Sequence, residues 1–185
     1  MLDIYDNKDD GQHYASTFLR SIDCFVPGIA SAGGLFLDIG CGKAHFLKGL
    51  QDLAPHWKVY GLDVDREVLS EARKVYPSSM LTLADGSYLP YRDGSFSAVF
   101  TKSILDYSGT RRDEKDRLKY FPLTFSLEIL APELYRVLQP PGIYFCFEKC
   151  SRQEREIVCS SGLHLVKENY LFQKPKVTHA LLYRI

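Results

Sequence analysis

The chain has 185 residues, a length that suits one domain, and 45% of them are hydrophobic, enough for a sizeable core. Lysine plus arginine equals aspartate plus glutamate at 23 each, so the formal net charge is zero. Because nucleic acids and membrane surfaces attract proteins with an excess of basic residues, this balance disfavours both as partners. No apolar run approaches the roughly 20 residues of a membrane span, and the acidic start MLDIYDNKDD is unlike a signal peptide. We therefore expect a cytoplasmic protein.

The cysteines have neither the number nor the spacing of a structural framework. They are Cys24, Cys41, Cys146, Cys150 and Cys159. An odd count without a Cys-x-x-Cys pair argues against paired disulfides and against a zinc site. Our interpretation is that all five stay reduced and pack as small hydrophobic side chains. We accordingly predict no metal site.

Hydrophobic periodicity predicts helices and strands that alternate along the chain. Tyr14, Phe18 and Ile22 recur at helical spacing and predict a helix over residues 12–26, before a short buried strand at 35–39. Further strands are expected at 57–62, 80–84, 96–101 and 142–148, and helices at 43–53, 65–76, 122–138 and 151–162. The β-rich segments 163–173 and 177–185 predict a closing hairpin.

Proline and capping signals mark the ends of the later helices. Pro122 suits the first turn of the helix that begins there, whereas Pro132 should bend or split it. Pro140-Pro141-Gly142 should end that helix. Ser151 and Glu154 have the spacing of a capping box, which predicts the start of the last helix.

Strands that alternate with helices and end in a hairpin indicate an α/β fold, a three-layer sheet with mostly parallel strands. Ligands of such sheets bind beyond the carboxyl ends of the strands. Acidic residues follow three consecutive strand ends here, and they are Asp38, Asp63 and Asp85. We expect these carboxylates to lie along one edge of the sheet.

The residues at these strand ends suit a nucleoside that carries a cation. Gly40 and Gly42 let the backbone turn sharply and approach a ligand closely. Asp63 can accept both ribose hydroxyls, and an acid at Asp85 suits the exocyclic amine of adenine. A dinucleotide fingerprint would need a third glycine where His45 stands, and a pyrophosphate would gain little from three acids. Spacing and charge therefore favour S-adenosylmethionine over NAD.

Four stretches of the chain resemble the core motifs of the class I S-adenosylmethionine-dependent methyltransferases. They are LFLDIGCGKAHF, GLDVD, LADGSYLPYRDGSFSAVFTKSILDY and ELYRVLQPPGIYFCF, and together they cover about residues 35–148. The resemblance implies a Rossmann-like sheet of strand order 3-2-1-4-5-7-6. It also implies one methyltransferase domain over 1–185, with an N-terminal lead-in at 1–34, a donor-binding core at 35–148, and a C-terminal helix and hairpin at 149–185.

The resemblance also implies roles for individual residues. The methionine part of the donor would be held by the first loop, the ribose by the acid after strand two, and the adenine by the acid after strand three. The predicted cofactor-binding residues are Asp38, Gly40, Cys41, Gly42, Asp63, Val64, Asp85, Gly86 and Thr101. Asp106 and Tyr107, just past strand four, are the predicted catalytic residues, because the family usually presents substrate contacts there.

The acceptor is left open between a protein lysine and a small molecule. The stretch TKSILD at 101–106 is loosely similar to a motif of small protein-lysine methyltransferases, and we prefer that acceptor by a small margin. The stretch LPYRDGSF at 89–96 looks like one common in small-molecule methyltransferases. No Asn/Asp-Pro-Pro-Tyr/Phe sequence follows strand four, which argues against methylation of a nucleic-acid base. An NAD(P)-dependent oxidoreductase and a non-catalytic donor-binding protein are the remaining alternatives.

Overall fold

The computed structural model describes residues 8–78, 80–102, 104, 126–148, 150–173 and 176–185. Its strands form a seven-stranded sheet of order β3-β2-β1-β4-β5-β7-β6, which confirms the predicted fold class and strand order. The chain divides into two compact units, one ending at Leu83 and the other beginning at Ala84.

The first unit contains three parallel strands whose carboxyl ends carry two of the predicted site residues. They are β1 (Gly34–Ile39), β2 (Trp57–Asp63) and β3 (Met80–Leu83). Asp38 of β1 lies opposite Gly61 of β2, and Asp63 of β2 lies opposite Leu83 of β3. All three strands were predicted to within one or two residues, because each is a short apolar run between turn signals.

Four helices accompany these strands in the described part of the first unit. They are α1 (Lys8–Phe25), α2 (Ile29–Ala32), α3 (His45–Leu53) and α4 (Arg66–Val75). Phe18 of α1 packs edge-to-face on Phe36 of β1 and on Phe46 of α3, with ring centroids 5.7 and 5.4 Å apart. The predicted helix at 12–26 begins earlier than expected, at Lys8, and the short α2 was not predicted.

Two glycines allow α1 and α3 to approach each other closely. A Cβ added at Gly49 would lie 2.7 Å from the Gly11 carbonyl oxygen and 3.0 Å from the Gln12 Cα. A Cβ at Gly11 would overlap the carbonyl group of His45, the first residue of α3. The backbones are therefore in direct contact, and α1 lies against the start of the helix that follows the first glycine-rich loop.

The second unit contains the remaining four strands. They are β4 (Phe96–Lys102), β5 (Leu138–Glu148), β6 (His164–Gln173) and β7 (Lys176–Arg184). β4 and β5 are parallel, whereas β7 is antiparallel to both β5 and β6. The predicted closing hairpin is thereby confirmed.

The helix expected at 122–138 is shorter in the structure, where α5 spans Leu127–Val137. Ser126 has an extended backbone with φ −142° and ψ 158°, so the helix begins after it, and residues 122–125 lie outside the described ranges. Pro132 lies inside α5 and does not split it, so of the two expected effects the split does not occur. Burial of Leu130 and Leu134 offsets the hydrogen bond that the proline cannot donate.

We expected the Pro-Pro-Gly segment to end a helix. In the structure α5 already ends at Val137, and the segment belongs to β5. Phe96 pairs with Leu138, but Ala98 pairs with Ile143, so β5 contains a bulge over 139–142. Prolines cannot donate to a strand ladder, which explains why they are found in this interruption of the pairing.

The last helix confirms the predicted capping box. α6 spans Arg152–Ser160; the Ser151 hydroxyl accepts from the Glu154 N–H at 3.2 Å, and the Glu154 side chain accepts from the Ser151 N–H. None of the helices in the described ranges combines the length and hydropathy that crossing a bilayer requires.

We predict that Gly49→Ala destabilises the protein by about 1–3 kcal/mol, because the added methyl group would push α1 away from α3. Helix propensity alone would make this substitution stabilising by about 1 kcal/mol. A loss of stability would therefore indicate a steric clash between α1 and α3. Urea unfolding measures it. The matched control is Ser70→Ala on the exposed side of α4, which should be neutral or slightly stabilising. A Gly49→Ala variant as stable as wild type would contradict the close packing.

Candidate functional site

The loop that follows β1 turns on three residues with left-handed backbone angles. Gly40, Gly42 and Ala44 have φ values of 75°, 54° and 60°. The N–H groups of Gly40 and Cys41 both donate to the Leu62 carbonyl oxygen, at 2.7 and 3.0 Å. The loop is therefore anchored to β2 before α3 begins, in a conformation that glycine adopts without strain.

Gly61 of β2 permits this close approach. A Cβ at Gly61 would lie 2.8 Å from the Cys41 Sγ and 2.7 Å from a methyl group of Leu47. Glycine at this position therefore lets the Cys41 side chain pack directly on the β2 backbone. The sequence analysis did not single out Gly61, although a glycine inside a strand pattern is a signal of close backbone approach.

Asp63 at the end of β2 joins the two loops of this edge. Its Oδ2 accepts from the Gly42 N–H at 2.9 Å, and its Oδ1 accepts from the Asp65 N–H at 3.0 Å. The Asp65 side chain in turn caps α4 by accepting from the N–H groups of Glu67 and Val68. A carboxylate has about four lone-pair sites, so Asp63 can accept from a ligand hydroxyl in addition to these main-chain groups.

Burial dominates the electrostatics of this loop. It raises the pKa of Asp63 from its ordinary value, although the N–H groups of Asp65 and Gly42 act in the opposite direction. Burial, reinforced by the charges of Asp38 and Asp63, also raises the pKa of the Cys41 thiol well above its usual range. Cys41 therefore stays protonated and is unsuited to be a nucleophile. Asp38 itself is only 4% exposed.

Two further residues lie next to this loop and strand end. Val64, which follows Asp63, is 37% exposed. His45 begins α3, and its Nδ1 is buried without a hydrogen-bond partner among the described residues. The structure thus brings Asp38, Asp63 and the glycine-rich loop together, as the sequence analysis predicted for these residues of the first unit.

Asp85 and Gly86 belong to the second unit, in a tight turn. The Asp85 Oδ1 accepts from the Ser87 N–H at 2.9 Å, and its carbonyl oxygen accepts from the Tyr88 N–H at 3.1 Å. Ser87 is 1% exposed, and its hydroxyl has no hydrogen-bond partner within the described part of the chain. Tyr88, in contrast, is 79% exposed.

Thr101 near the end of β4 is part of a buried polar contact. It is fully buried, and its Oγ1 lies 2.8 Å from the Tyr144 hydroxyl oxygen on β5. Tyr144 stacks on Tyr183 of β7 with ring centroids 5.5 Å apart. The Thr101 hydroxyl is therefore engaged inside the sheet layer.

Sequence analysis missed a pair of charged residues on α5. Glu133 and Arg136 form an ion pair at 2.7 Å and hydrogen-bond to the main chain of the loop at 89–91. The pair and the loop it contacts are more than forty residues apart in sequence, so no local pattern could have revealed the contact between them. A Glu and an Arg at a spacing of three within a helix were the available signal.

The predicted catalytic residues Asp106 and Tyr107 lie outside the described ranges, as does the charged stretch 108–117. Across the ranges that are described, no three His, Cys, Asp or Glu side chains are grouped to hold a metal ion. All five cysteines are in thiol form, and the Sγ atoms of Cys146 and Cys150 lie 3.5 Å apart in the interior.

Two curated proteins that this chain is similar to are methyltransferases. A malonyl-[acyl-carrier protein] O-methyltransferase of Legionella pneumophila is 30% identical over 112 residues, which is 56% of this chain and 38% of that protein. A tRNA (guanine-N(7)-)-methyltransferase of Streptococcus mutans is 31% identical over 106 residues, 54% of this chain and 50% of that protein. The chain thus spans half or less of the length of these curated relatives.

A solved structure shows the same fold. The magnesium protoporphyrin IX methyltransferase of Synechocystis PCC 6803, determined with bound S-adenosylmethionine, superposes with a TM-score of 0.63 at 15% identity, covering 94% of this chain and 78% of that one. A family model described as "Methyltransferase domain" matches residues 37–146, more than half of the chain. The chain therefore belongs to the methyltransferase domain family of class I S-adenosylmethionine-dependent enzymes, and S-adenosylmethionine is its cofactor.

Proposed function

We propose that this chain transfers the methyl group of S-adenosylmethionine to a small-molecule acceptor. The observation that carries the methyl transfer is the anchored glycine-rich loop, whose Gly42 N–H is bonded to the Asp63 carboxylate. The small-molecule acceptor is supported by the relative that methylates an oxygen of a malonyl group on its carrier protein. The LPYRDGSF stretch, which looks like that of small-molecule methyltransferases, points the same way.

The residues of the loop fit the donor. A Cβ added at Gly42 would meet no atom within 4 Å, so this position faces open space that a ligand can fill. We assign the methionine part of the donor to Asp38, Gly40, Cys41 and Gly42. We assign the ribose to Asp63, with Val64 beside it, because a carboxylate at the end of β2 can accept from ribose hydroxyls.

The turn at Asp85 fits the nucleobase. Among the described residues the buried Ser87 hydroxyl next to Asp85 has no hydrogen-bond partner, which costs about 1–3 kcal/mol, and a bound ligand could relieve this cost. We assign the adenine 6-amino group to Asp85 and a ring nitrogen to the Gly86 N–H. Thr101 contributes through its main chain, since Tyr144 engages its hydroxyl.

Methyl transfer asks the protein mainly for alignment. When bound, S-adenosylmethionine would supply a methyl carbon that the acceptor attacks in line with the C–S bond, with S-adenosylhomocysteine as the leaving group. The residues of this chain hold the donor in one orientation and exclude water, which supplies most of the acceleration. An ionised carboxylate acceptor needs no general base, whereas a lysine must first lose a proton. We keep Asp106 and Tyr107 as the residues proposed to meet the acceptor.

A protein lysine is the second candidate acceptor, because the stretch TKSILD is similar to a motif of small lysine methyltransferases. A tRNA acceptor is disfavoured by the balanced charge of the chain, although one relative methylates a guanine of tRNA. We also propose a cytoplasmic location, in keeping with five cysteines in thiol form.

An acceptor screen with S-adenosylmethionine labelled in its methyl group tests this proposal. We expect label in small carboxylate, phenol or amine acceptors and none in the matched reaction with Asp63→Ala. Label that enters only protein lysines would transfer the assignment to the second candidate. Label that enters only tRNA would refute both.

We predict that Gly42→Ala weakens binding of S-adenosylhomocysteine more than tenfold, equivalent to about 1.4 kcal/mol or more, because the methyl group enters the ligand's space. Its stability should fall only by about 1–2 kcal/mol, the cost of the left-handed backbone. Gly28→Ala is the matched control, with φ 83° and no atom within 4 Å of its Cβ. Calorimetry should give Gly28→Ala the affinity of wild type, and equal losses in both variants would contradict the assignment.

We predict that S-adenosylhomocysteine binds more weakly as the pH falls from about pH 7 to about pH 4. Ribose hydroxyls donate to ionised Asp63, whose pKa is raised above its ordinary value of 3.8 mainly by burial, so protonation begins above that value. Calorimetric titration across this range measures the effect. In Asp63→Asn, which cannot titrate, affinity should be low and this component of the pH dependence absent.

The same pKa shift predicts an opposite effect on the ligand-free protein. Because the folded pKa lies above the unfolded one, the contribution of Asp63 favours folding below its ordinary value and is lost as the pH rises through the folded value. The stability of wild type relative to Asp63→Asn should therefore decline with rising pH in that window. A difference that does not vary with pH would show that the pKa is unshifted.

A further inference from the structure

Two charged residues of α5 hold the loop before β4 by its main chain. The Arg136 guanidinium donates to the carbonyl oxygens of Leu89 and Tyr91 at 2.9 and 2.7 Å. Glu133 Oε2 accepts from the Leu89 N–H at 2.8 Å, and the two Glu133 oxygens accept from Arg136 at 2.7 Å each. Both polar groups of the Leu89 main chain are thus bound by one side-chain pair.

The geometry of this pair is that of a rigid clamp. A guanidinium offers donors in a fixed planar fork, which a lysine ammonium cannot reproduce. Arg136 also bonds to Asp93 at 2.8 Å, and its carbonyl oxygen accepts from the Gly94 N–H at 2.9 Å. Glu133 is 18% exposed at its side chain, and its bond to Arg136 lowers its pKa, so the pair remains charged.

Leu89, which the clamp holds, lies four residues after Asp85, and the intervening chain is ordered by its own hydrogen bonds. Ser87 and Tyr88 donate their N–H groups to the Asp85 side chain and carbonyl oxygen. Leu89, which follows directly, is 4% exposed and held by the clamp. A displacement of Leu89 would therefore move the turn that orients the Asp85 carboxylate.

We propose that Glu133 and Arg136 are positioning residues for nucleobase recognition, which set the placement of the Asp85 carboxylate through the main chain of Leu89. This inference rests on the proposed function, in which Asp85 accepts a hydrogen bond from the 6-amino group of the donor's adenine. Neither residue contacts the donor in this assignment. Their effect is on selectivity for the amino group and not on donor binding in general.

The test compares two ligands by calorimetry: S-adenosylhomocysteine and its analogue whose purine lacks the 6-amino group. Wild type should prefer the first by about tenfold or more, as expected for one hydrogen bond to a charged group. Arg136→Lys should reduce the preference to less than about threefold, and Glu133→Gln should reduce it in the same direction. Arg152→Lys, in an exposed ion pair with Glu156 on α6, is the matched control and should keep the wild-type preference.

A double variant separates positioning from general stability. If the clamp acts through Asp85, Arg136→Lys combined with Asp85→Asn should show the same preference as Asp85→Asn alone. Equal weakening of both ligands in Arg136→Lys, with the preference unchanged, would overturn the proposal. Should Arg136→Lys fail to fold, Glu133→Gln provides the same readout.

The outcomes for wild type distinguish this inference from the proposed function. Binding of S-adenosylhomocysteine without preference for the amino group would overturn the role of Asp85 and the clamp, while donor binding would stand. Absence of binding to either ligand would overturn the proposed function itself, and the inference with it.

Discussion

The hydrogen bond from the Gly42 N–H to the Asp63 carboxylate is the contact on which the first unit's candidate site depends. It joins the loop that follows β1 to the end of β2. The neighbouring Leu62 carbonyl oxygen accepts from two further N–H groups of the same loop. A loop with left-handed backbone angles leaves its N–H groups without the partners that a helix or strand would provide. A neighbouring strand end supplies them here, and the loop is shaped before any ligand arrives.

This arrangement has an energetic cost that the donor can offset. The same burial that gives Asp63 its well-defined partners raises its pKa, which means that the charged form is destabilised relative to water. Asp38 adds a second carboxylate, which is buried where Asp63 is only partly buried, and the charges of both raise the pKa of the Cys41 thiol. A cation with two hydroxyls compensates such a group of acids, whereas a pyrophosphate would increase the repulsion. Asp38 and Asp63 therefore suit the proposed donor better than they suit a dinucleotide.

The fold and the placement of Asp38, Asp63 and the glycine-rich loop could be predicted because their signals are local. Short apolar runs between turn residues identified the strands, and the acids and glycines at their ends identified the edge where the loop is built. The helix expected over 122–138 begins only after Ser126, because leucine spacing says nothing of that residue's extended backbone, and it ends within one residue of the expected end, at Val137. The bulge at 139–142 depends on pairing with β4, which no local pattern contains.

Polar contacts between distant segments could not be predicted either, because no local sequence pattern contains both partners. The resemblance implies a cofactor-binding role for Thr101, and in the structure its hydroxyl lies 2.8 Å from that of Tyr144, forty-three residues away. The clamp of Glu133 and Arg136 is likewise formed only when α5 packs beside the loop it holds. Charged residues on a helix are most often solvated, so their main-chain partners emerge only from the folded structure.

The two anchoring devices differ in what they require of the sequence. In the first unit the acceptor is a side chain and the donors are main-chain groups, so the loop must contain glycines that permit its shape. In the second unit Arg136 recognises main-chain carbonyl groups, which every residue type offers. The exposed Tyr88 lies between the Asp85 turn and the clamp. Another residue type could therefore replace Tyr88 without breaking the main-chain hydrogen bonds on either side of it.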